Sequence, residues 1–216
     1  ESRGLGDVYK RQQVEMNSGL QFFDGIESEQ IQNILIKSAS DLISLDSPNY
    51  QFVAARLLLF SVRKQVFPEW NQTGYPKLKD HVKTCAEVGV YDGGILKKYD
   101  DQEWEELNSY IDHQRCYGFT YAGLRQIVDK YLVQDRSTGK VYETPQYMYI
   151  MVAATLFQDY PKETRLDYVK RYYTATSKGK INVPTPVLAG VRTPLRQFAS
   201  CVLVDVDDTL DSIFSS

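Results

Sequence analysis

The sequence predicts a mainly α-helical protein with one small β-hairpin and a single strand-like run near residue 201. Three observations carry that expectation. Apolar residues recur at helical spacing through most of the stretch from Ser28 to Ala175. Helix start signals stand beside them, with a hydroxyl residue followed by proline at Ser47-Pro48 and again at Thr144-Pro145. Strongly apolar β-like character returns only at Cys201-Val202-Leu203-Val204-Asp205-Val206.

Taken in order, residues 1–12 show no useful periodicity. The string Ser2-Arg3-Gly4-Leu5-Gly6-Asp7-Val8-Tyr9-Lys10-Arg11-Gln12 reads as translated sequencing adapter, hence as probable non-native sequence outside fold reasoning. Ser28 is placed to cap a helix over 28–45, with Ile31, Ile34, Leu35, Leu42 and Ile43 mainly on one stripe. Ser47-Pro48 opens a second helix, apolar on much of its circumference over 50–66 and therefore well buried. Residues 68–76 form a loop rich in turn formers, and a shorter helix over 78–88 ends at Gly89. Asp100 with Glu103 has capping-box spacing for a helix to about His113, and 121–131 reads as another. Residues 132–142 read as a β-hairpin with Gly139 in its turn. Thr144-Pro145 opens a helix to about Gln158, and 162–175 is the last clear one. Pro184-Thr185-Pro186 reads as a rigid loop leading to Ser200-Cys201.

Composition narrows the function classes. The chain has 216 residues, enough for one large domain or two small ones. Its 43% hydrophobic and 25% charged content is ordinary for a globular protein. A net charge of −3 argues against a generic nucleic-acid binder, which carries a basic face. No apolar stretch approaches a membrane span, and no secretory leader is legible. Cys85, Cys116 and Cys201 are too few and too far apart for a disulfide framework or a zinc motif, which fits a reducing, cytoplasmic setting. With His81 and His113 alone, a histidine metal site lacks material. The 16 tyrosines are read as packing between helices. From local sequence alone Cys201 is a small buried hydrophobe, since a reactive thiol needs exposure or nearby positive charge. Arg192 and Arg196 are close to it in sequence only.

The string Pro184-Thr185-Pro186, then Arg192-Thr193-Pro194, Arg196-Gln197-Phe198 and Ser200-Cys201 is long and chemically unusual. Further pieces are Phe23-Asp24-Gly25-Ile26, Val53-Ala54-Ala55-Arg56, Lys130-Tyr131-Leu132-Val133, Glu143-Thr144-Pro145-Gln146 and Arg165-Leu166 with Val169, Arg171 and Tyr172. In this order and spacing the chain, over about 13–213, resembles the large (α) subunit of class I ribonucleotide reductase. The resemblance implies residues 13–68 as a partial ATP-cone domain, 69–197 as the family's N-terminal helical domain, and 198–216 as the start of a catalytic ten-stranded α/β barrel, with Cys201–Val206 its first strand.

The same resemblance implies roles by position. Thr185 matches a substrate contact on the bound nucleoside diphosphate, and Ser200 a small polar residue beside it. Cys201 matches one half of the redox-active dithiol. Asp208, Thr209 and Leu210 match the start of a specificity site for a deoxynucleoside triphosphate or ATP, although locally Asp207-Asp208 also suits a helix cap. Ser28 and Lys64 match nucleotide contacts of the activity-control cone, but Gln32 and Ser61 stand where many members have histidine, which implies negligible ATP binding. No cofactor or metal is implied for this chain itself; the radical comes from a separate metal-containing small (β) subunit. Implied partners are a ribonucleoside diphosphate, the β subunit, a second α subunit, and thioredoxin or glutaredoxin, with neither membrane nor nucleic acid, in the cytoplasm or, for a viral-type enzyme, the host cytoplasm. The reaction implied is thiyl-radical reduction of ribonucleoside diphosphates to deoxyribonucleoside diphosphates, with the 216-residue chain alone inactive. Two alternatives stay open at this point: a non-enzymatic nucleotide-sensing or assembly module, and one half of a split reductase.

Overall fold

The computed structural model describes residues 5–19, 21–195 and 197–215. Residues 1–4 of the segment read as non-native, and Arg196, lie outside the described residues. The helices are α1 (Leu5–Gly19), α2 (Ser28–Asp41), α3 (Tyr50–Val66), α4 (Trp70–Thr73), α5 (Leu78–Glu87), α6 (Asp101–Tyr110), α7 (Tyr121–Gln126), α8 (Pro145–Phe157), α9 (Lys162–Ser177), α10 (Thr185–Gly190) and α11 (Leu210–Ser215). Short 3₁₀ turns stand at Gly93–Lys97 and His113–Gly118, and a π turn at Ile127–Tyr131.

The fold is built around α8. Its sequence, Tyr147-Met148-Tyr149-Ile150-Met151-Val152-Ala153-Ala154, has no polar face, so the helix is stable only where protein surrounds it. Every residue from Pro145 to Thr155 is buried. Thr144 and Pro145 occupy the cap and first-turn positions, as the cap-plus-proline signal predicts, but the Thr144 hydroxyl is buried without a partner and makes no cap bond. Helix α9 packs along α8 through Val169 and Tyr173. The Tyr173 hydroxyl donates to Gln146 Oε1 at 2.7 Å and accepts from Asp112 N–H at 2.9 Å, so one buried phenol joins three segments.

The capping box at Asp100 and Glu103 forms as expected, each backbone N–H donating to the other's carboxylate at 2.9 Å. Glu103 also takes a two-pronged ion pair from Arg165 of α9, with Nε to Oε1 at 2.6 Å and Nη2 to Oε2 at 2.5 Å. Burial works to raise the Glu103 pKa, but the Arg165 guanidinium and the Asp100 N–H outweigh it and hold the carboxyl below its usual range. A helix cap and an inter-helix clamp thus share one carboxylate.

Several boundaries differ from expectation. Part of the stretch set aside as non-native, from Leu5, lies in helix α1. Ser28 is the first helical residue rather than the cap; Glu27 takes the cap position, and its N–H donates to Gln30 Oε1 at 3.1 Å. Helix α2 stops at Asp41, and Leu45 is left wholly exposed. Helix α3 begins at Tyr50 after turn bonds from Tyr50 N–H to Ser47 O and from Gln51 N–H to Pro48 O. Helix α6 ends at Tyr110, ahead of the predicted His113. The predicted loop at Pro184-Thr185-Pro186 is the first turn of α10, where proline loses no needed donor.

The β expectations are reduced. The hairpin keeps its turn, with Gly139 at φ +73 and its N–H on Asp135 O at 2.8 Å, but only one antiparallel bridge, Gln134 to Val141. The Val133 N–H that a ladder would use is taken by the Glu143 carboxylate at 2.7 Å. Residues 201–207 form no strand, and Val202 and Leu203 are 72% and 101% exposed. A lone extended run has no neighbour for its backbone donors and acceptors, so strand structure cannot close there.

One buried ion pair ties these parts together. Arg192 Nε donates to Glu143 Oε2 at 2.8 Å, Nη2 reaches Glu143 Oε1, and both side chains are fully buried. The Tyr91 hydroxyl donates to Glu143 Oε2. Two further Arg192 donors go to carbonyls, Nη1 to Leu188 O at 2.6 Å and Nη2 to Tyr131 O at 2.9 Å. Removing one partner leaves a buried charge uncompensated, so Arg192→Met and Glu143→Gln should each cost about 3–5 kcal/mol. Urea unfolding of the 216-residue chain checks this; a loss below about 1 kcal/mol, the level of a surface pair, would count against the buried-pair assignment.

Both histidines are held neutral. His81 packs 4.8 Å from the Tyr147 ring and 3.5 Å from Cys85 Sγ, and burial pushes its pKa down to about 4 against the upward pull of Glu143. Burial, helped by Arg63, likewise pushes His113 down to about 4. The unfolded chain binds these protons from about pH 6.5, so stability falls as pH drops from about 6.5 to about 4. For His81 the loss between pH 7 and 5 is about 2 kcal/mol. Unfolding midpoints across that range should show it, with a flatter slope in His81→Phe; a slope unchanged by that substitution would refute the assignment.

Candidate functional site

Two regions carry the residues singled out from sequence. In the first, α2 and α3 bring Ser28, Glu29, Gln32, Ser61, Lys64 and Gln65 around one cavity of about 260 Å³. The four positions matched to the cone's nucleotide site therefore do converge. Their chemistry is thin: Lys64 is the one cation among these residues and Glu29 opposes it, so a triphosphate meets no net positive charge. The Gln32 side-chain amide is spent on Leu57 O at 2.8 Å.

The second region is the approach to Cys201. Thr185 opens α10 with its hydroxyl exposed, 3.4 Å from the Tyr131 phenol. Beside α10 lies a cleft of about 500 Å³, with Gln126, Tyr131, Tyr149, Asn182 and Leu188 among its walls. The other end of α10 is pinned by Arg192 through Leu188 O and by the Thr193 hydroxyl on Gly190 O at 2.8 Å. Arg192 and Thr193 in the long string are thus structural. Arg192 faces inward to Glu143 and gives Cys201 no positive neighbour.

Ser200 and Cys201 are both exposed, Oγ to Sγ 3.8 Å. That corrects the local expectation of a buried Cys201. Burial instead describes Cys85 and Cys116, and it pushes the thiol pKa of Cys85 up to about 12 and raises that of Cys116. Farther on, Thr209 rather than Asp207 or Asp208 caps α11: its Oγ1 accepts from Ser212 N–H at 3.2 Å. Asp208 and Leu210 are exposed. No hydrogen bond joins Thr185 to Ser200, Cys201 or Asp208 among the described residues.

Sequence reasoning assigned no role to Glu143, Tyr131 or Gln126. Glu143 pairs with Arg192, 49 positions away, and no local signal announces so distant a partner. Among the described residues no three His, Cys, Asp or Glu side chains gather as a metal site, and no helix is long and apolar enough to cross a membrane.

Residues 117–196 match the ribonucleotide reductase all-alpha domain. The chain is 52% identical over 98% of its length to the ribonucleoside-diphosphate reductase subunit alpha of Haemophilus influenzae, covering 28% of that protein. It is 50% identical over 93% of its length to ribonucleoside-diphosphate reductase 1 subunit alpha of Escherichia coli, covering 26% of it. For the subunit alpha of Enterobacteria phage T4 the values are 44%, 88% and 25%. Residues 117–196 thus carry the all-alpha domain of ribonucleotide reductase, and nearly the whole chain is similar to part of reductase α subunits. It spans about a quarter of the length of the curated relatives it matches.

The exposure pattern predicts one fast thiol. In the native chain a colorimetric disulfide reagent should titrate Cys201 alone, and Cys201→Ser should leave no fast phase. A fast phase surviving that substitution would show that Cys85 or Cys116 is open to solvent.

Proposed function

We propose that this chain supplies the entrance to the substrate site of a ribonucleoside-diphosphate reductase. The observation that carries the reading is the presentation of Cys201, the exposed one of three cysteines, within a chain half identical to reductase α subunits over nearly its whole length. In the proposed reaction the ribose C2′–O bond breaks and the oxygen leaves as water. A C2′–H bond forms, and two thiols give two electrons and two protons as they close to a disulfide. Cys201 is one of those thiols; its partner comes from the rest of the subunit, because one sulfur cannot close the bond. Thioredoxin or glutaredoxin restores the dithiol. The radical that starts the reaction is supplied by a separate metal-containing β subunit.

In this reading Thr185 and Ser200 contact the nucleoside diphosphate. Asp208, Thr209 and Leu210 begin the specificity-effector site for a deoxynucleoside triphosphate or ATP, shared across an α dimer. Ser28 and Lys64 are a remnant activity site, and their near-neutral cavity supports the expectation that ATP control is lost. The bare apolar run at Val202, Leu203 and Val204 fits a strand that pairs inside a larger subunit better than it fits a self-contained sensing module. The setting is the cytoplasm, where thiols stay reduced.

The test is a chimera in which this chain replaces the matching quarter of the E. coli α subunit, assayed for cytidine diphosphate reduction with β subunit and reduced thioredoxin. The chimera should turn over, Cys201→Ser should abolish product, and the 216-residue chain alone should make none. A folded chimera without activity, or one indifferent to Cys201→Ser, would overturn the reading.

A further inference from the structure

We infer that Tyr131 is a positioning residue for substrate binding, holding the Thr185 hydroxyl so that its proton points to an oxygen of the nucleoside diphosphate. The inference rests on the reading of Thr185 as a substrate contact. A threonine hydroxyl rotates freely and both gives and takes hydrogen bonds, so its direction must come from a neighbour. The Tyr131 phenol lies 3.4 Å from Thr185 Oγ1, and Gln126 Nε2 lies 3.4 Å from the same phenol oxygen.

The donor inventory permits a sense of this chain that leaves the Thr185 proton free. The Gln126 amide nitrogen only donates, so the phenol oxygen accepts there, and in the proposed sense the phenol proton goes to Thr185 rather than the Thr185 proton to the phenol oxygen. Thr185 then accepts from Tyr131, and its own proton is left to face a ligand oxygen. The order Gln126 to Tyr131 to Thr185 suits a negatively charged or oxygen-rich ligand at its open end.

The backbone places the pair deliberately. After Gln126 the α pitch gives way to a π turn, in which Leu132 N–H reaches back to Ile127 O at 3.0 Å. One residue is in effect inserted, which swings Tyr131 out of the α7 register, and such turns recur at functional sites. The Tyr131 carbonyl is held by Arg192 Nη2 at 2.9 Å, while Nη1 of the same guanidinium holds Leu188 O of α10 at 2.6 Å. One buried cation therefore sets the backbone on both sides of the hydroxyl pair, although Tyr131 lies 54 positions from Thr185.

The test uses the active chimera and a two-by-two set of Tyr131→Phe and Thr185→Val. Removing the phenol hydroxyl should raise KM for cytidine diphosphate about 3- to 10-fold while kcat at saturating substrate is retained. In the Thr185→Val background Tyr131→Phe should have no further effect on KM. Gln126→Leu should shift KM in the same direction by a smaller factor. An unchanged KM in a folded Tyr131→Phe chimera overturns the inference. So does an equal effect in both backgrounds, or a loss confined to kcat. A parent chimera without activity overturns the functional reading itself, so the two failures are distinguishable.

Discussion

The fold depends on a charge pair that no solvent reaches. Arg192 and Glu143 meet with both side chains fully buried, an arrangement whose desolvation cost is offset only if every remaining donor and acceptor finds a partner. Here they do. Glu143 accepts from Tyr91 and from Val133 N–H as well as from Arg192, and Arg192 donates onward to the carbonyls of Leu188 and Tyr131. Four segments, two of them linked elsewhere only by the single bridge from Gln134 to Val141, are joined at one point. The Arg192 carbonyl adds a further bond, accepting from Asp92 N–H at 2.9 Å, so the guanidinium and its own backbone hold the chain on both sides. Hydrophobic packing alone tolerates sliding; a satisfied network of directed bonds admits a single register.

That register matters because α10 has six residues and little apolar face of its own, Leu188 being its buried residue. A helix so short does not persist in water without outside support. Arg192 supplies the support at the far end and Tyr131 touches its first residue, so the position of Thr185 follows from the buried pair. The chain of cause runs from an ion pair in the core, through a π turn and a six-residue helix, to an exposed hydroxyl.

Much of this architecture is legible in the sequence because much of it is local. The Asp100–Glu103 box, the Thr144-Pro145 start and the apolar run of α8 depend on residues within a few positions of one another, and each stands where its pattern places it. The hairpin is misjudged for the opposite reason. Local pattern favours paired strands over 132–142, but Val133 N–H is claimed by Glu143, and a tertiary bond overrides the ladder. The predicted strand at 201–206 has sequence character without a neighbour, and strand structure is a property of pairs. At the candidate site Ser28, Gln32, Ser61 and Lys64 line one cavity, because α2 and α3 pack side by side. Tyr131 and Glu143 were invisible as actors, since their partners lie 54 and 49 positions away.

The distribution of burial also decides which thiols and phenols solvent can reach. Desolvation pushes the tyrosines Tyr75, Tyr149 and Tyr173 up to about 12 and Cys85 to about 12, so these groups stay neutral at any physiological pH. A neutral thiol is a poor nucleophile, and a buried phenol bound to a carboxylate or a carbonyl is a packing element first. Tyr99 illustrates the second case, its hydroxyl fixed on Ala154 O at 2.7 Å within the core. The tyrosine-rich interior is therefore uncharged and packed. Cys201 has the accessibility that thiol–disulfide exchange needs, and it stands beyond the last residue that the buried ion pair restrains. Burial in this stretch runs through Val191, Arg192 and Thr193 and then stops, so the accessible sulfur of Cys201 stands outside the close-packed interior that keeps Cys85 and Cys116 from exchange.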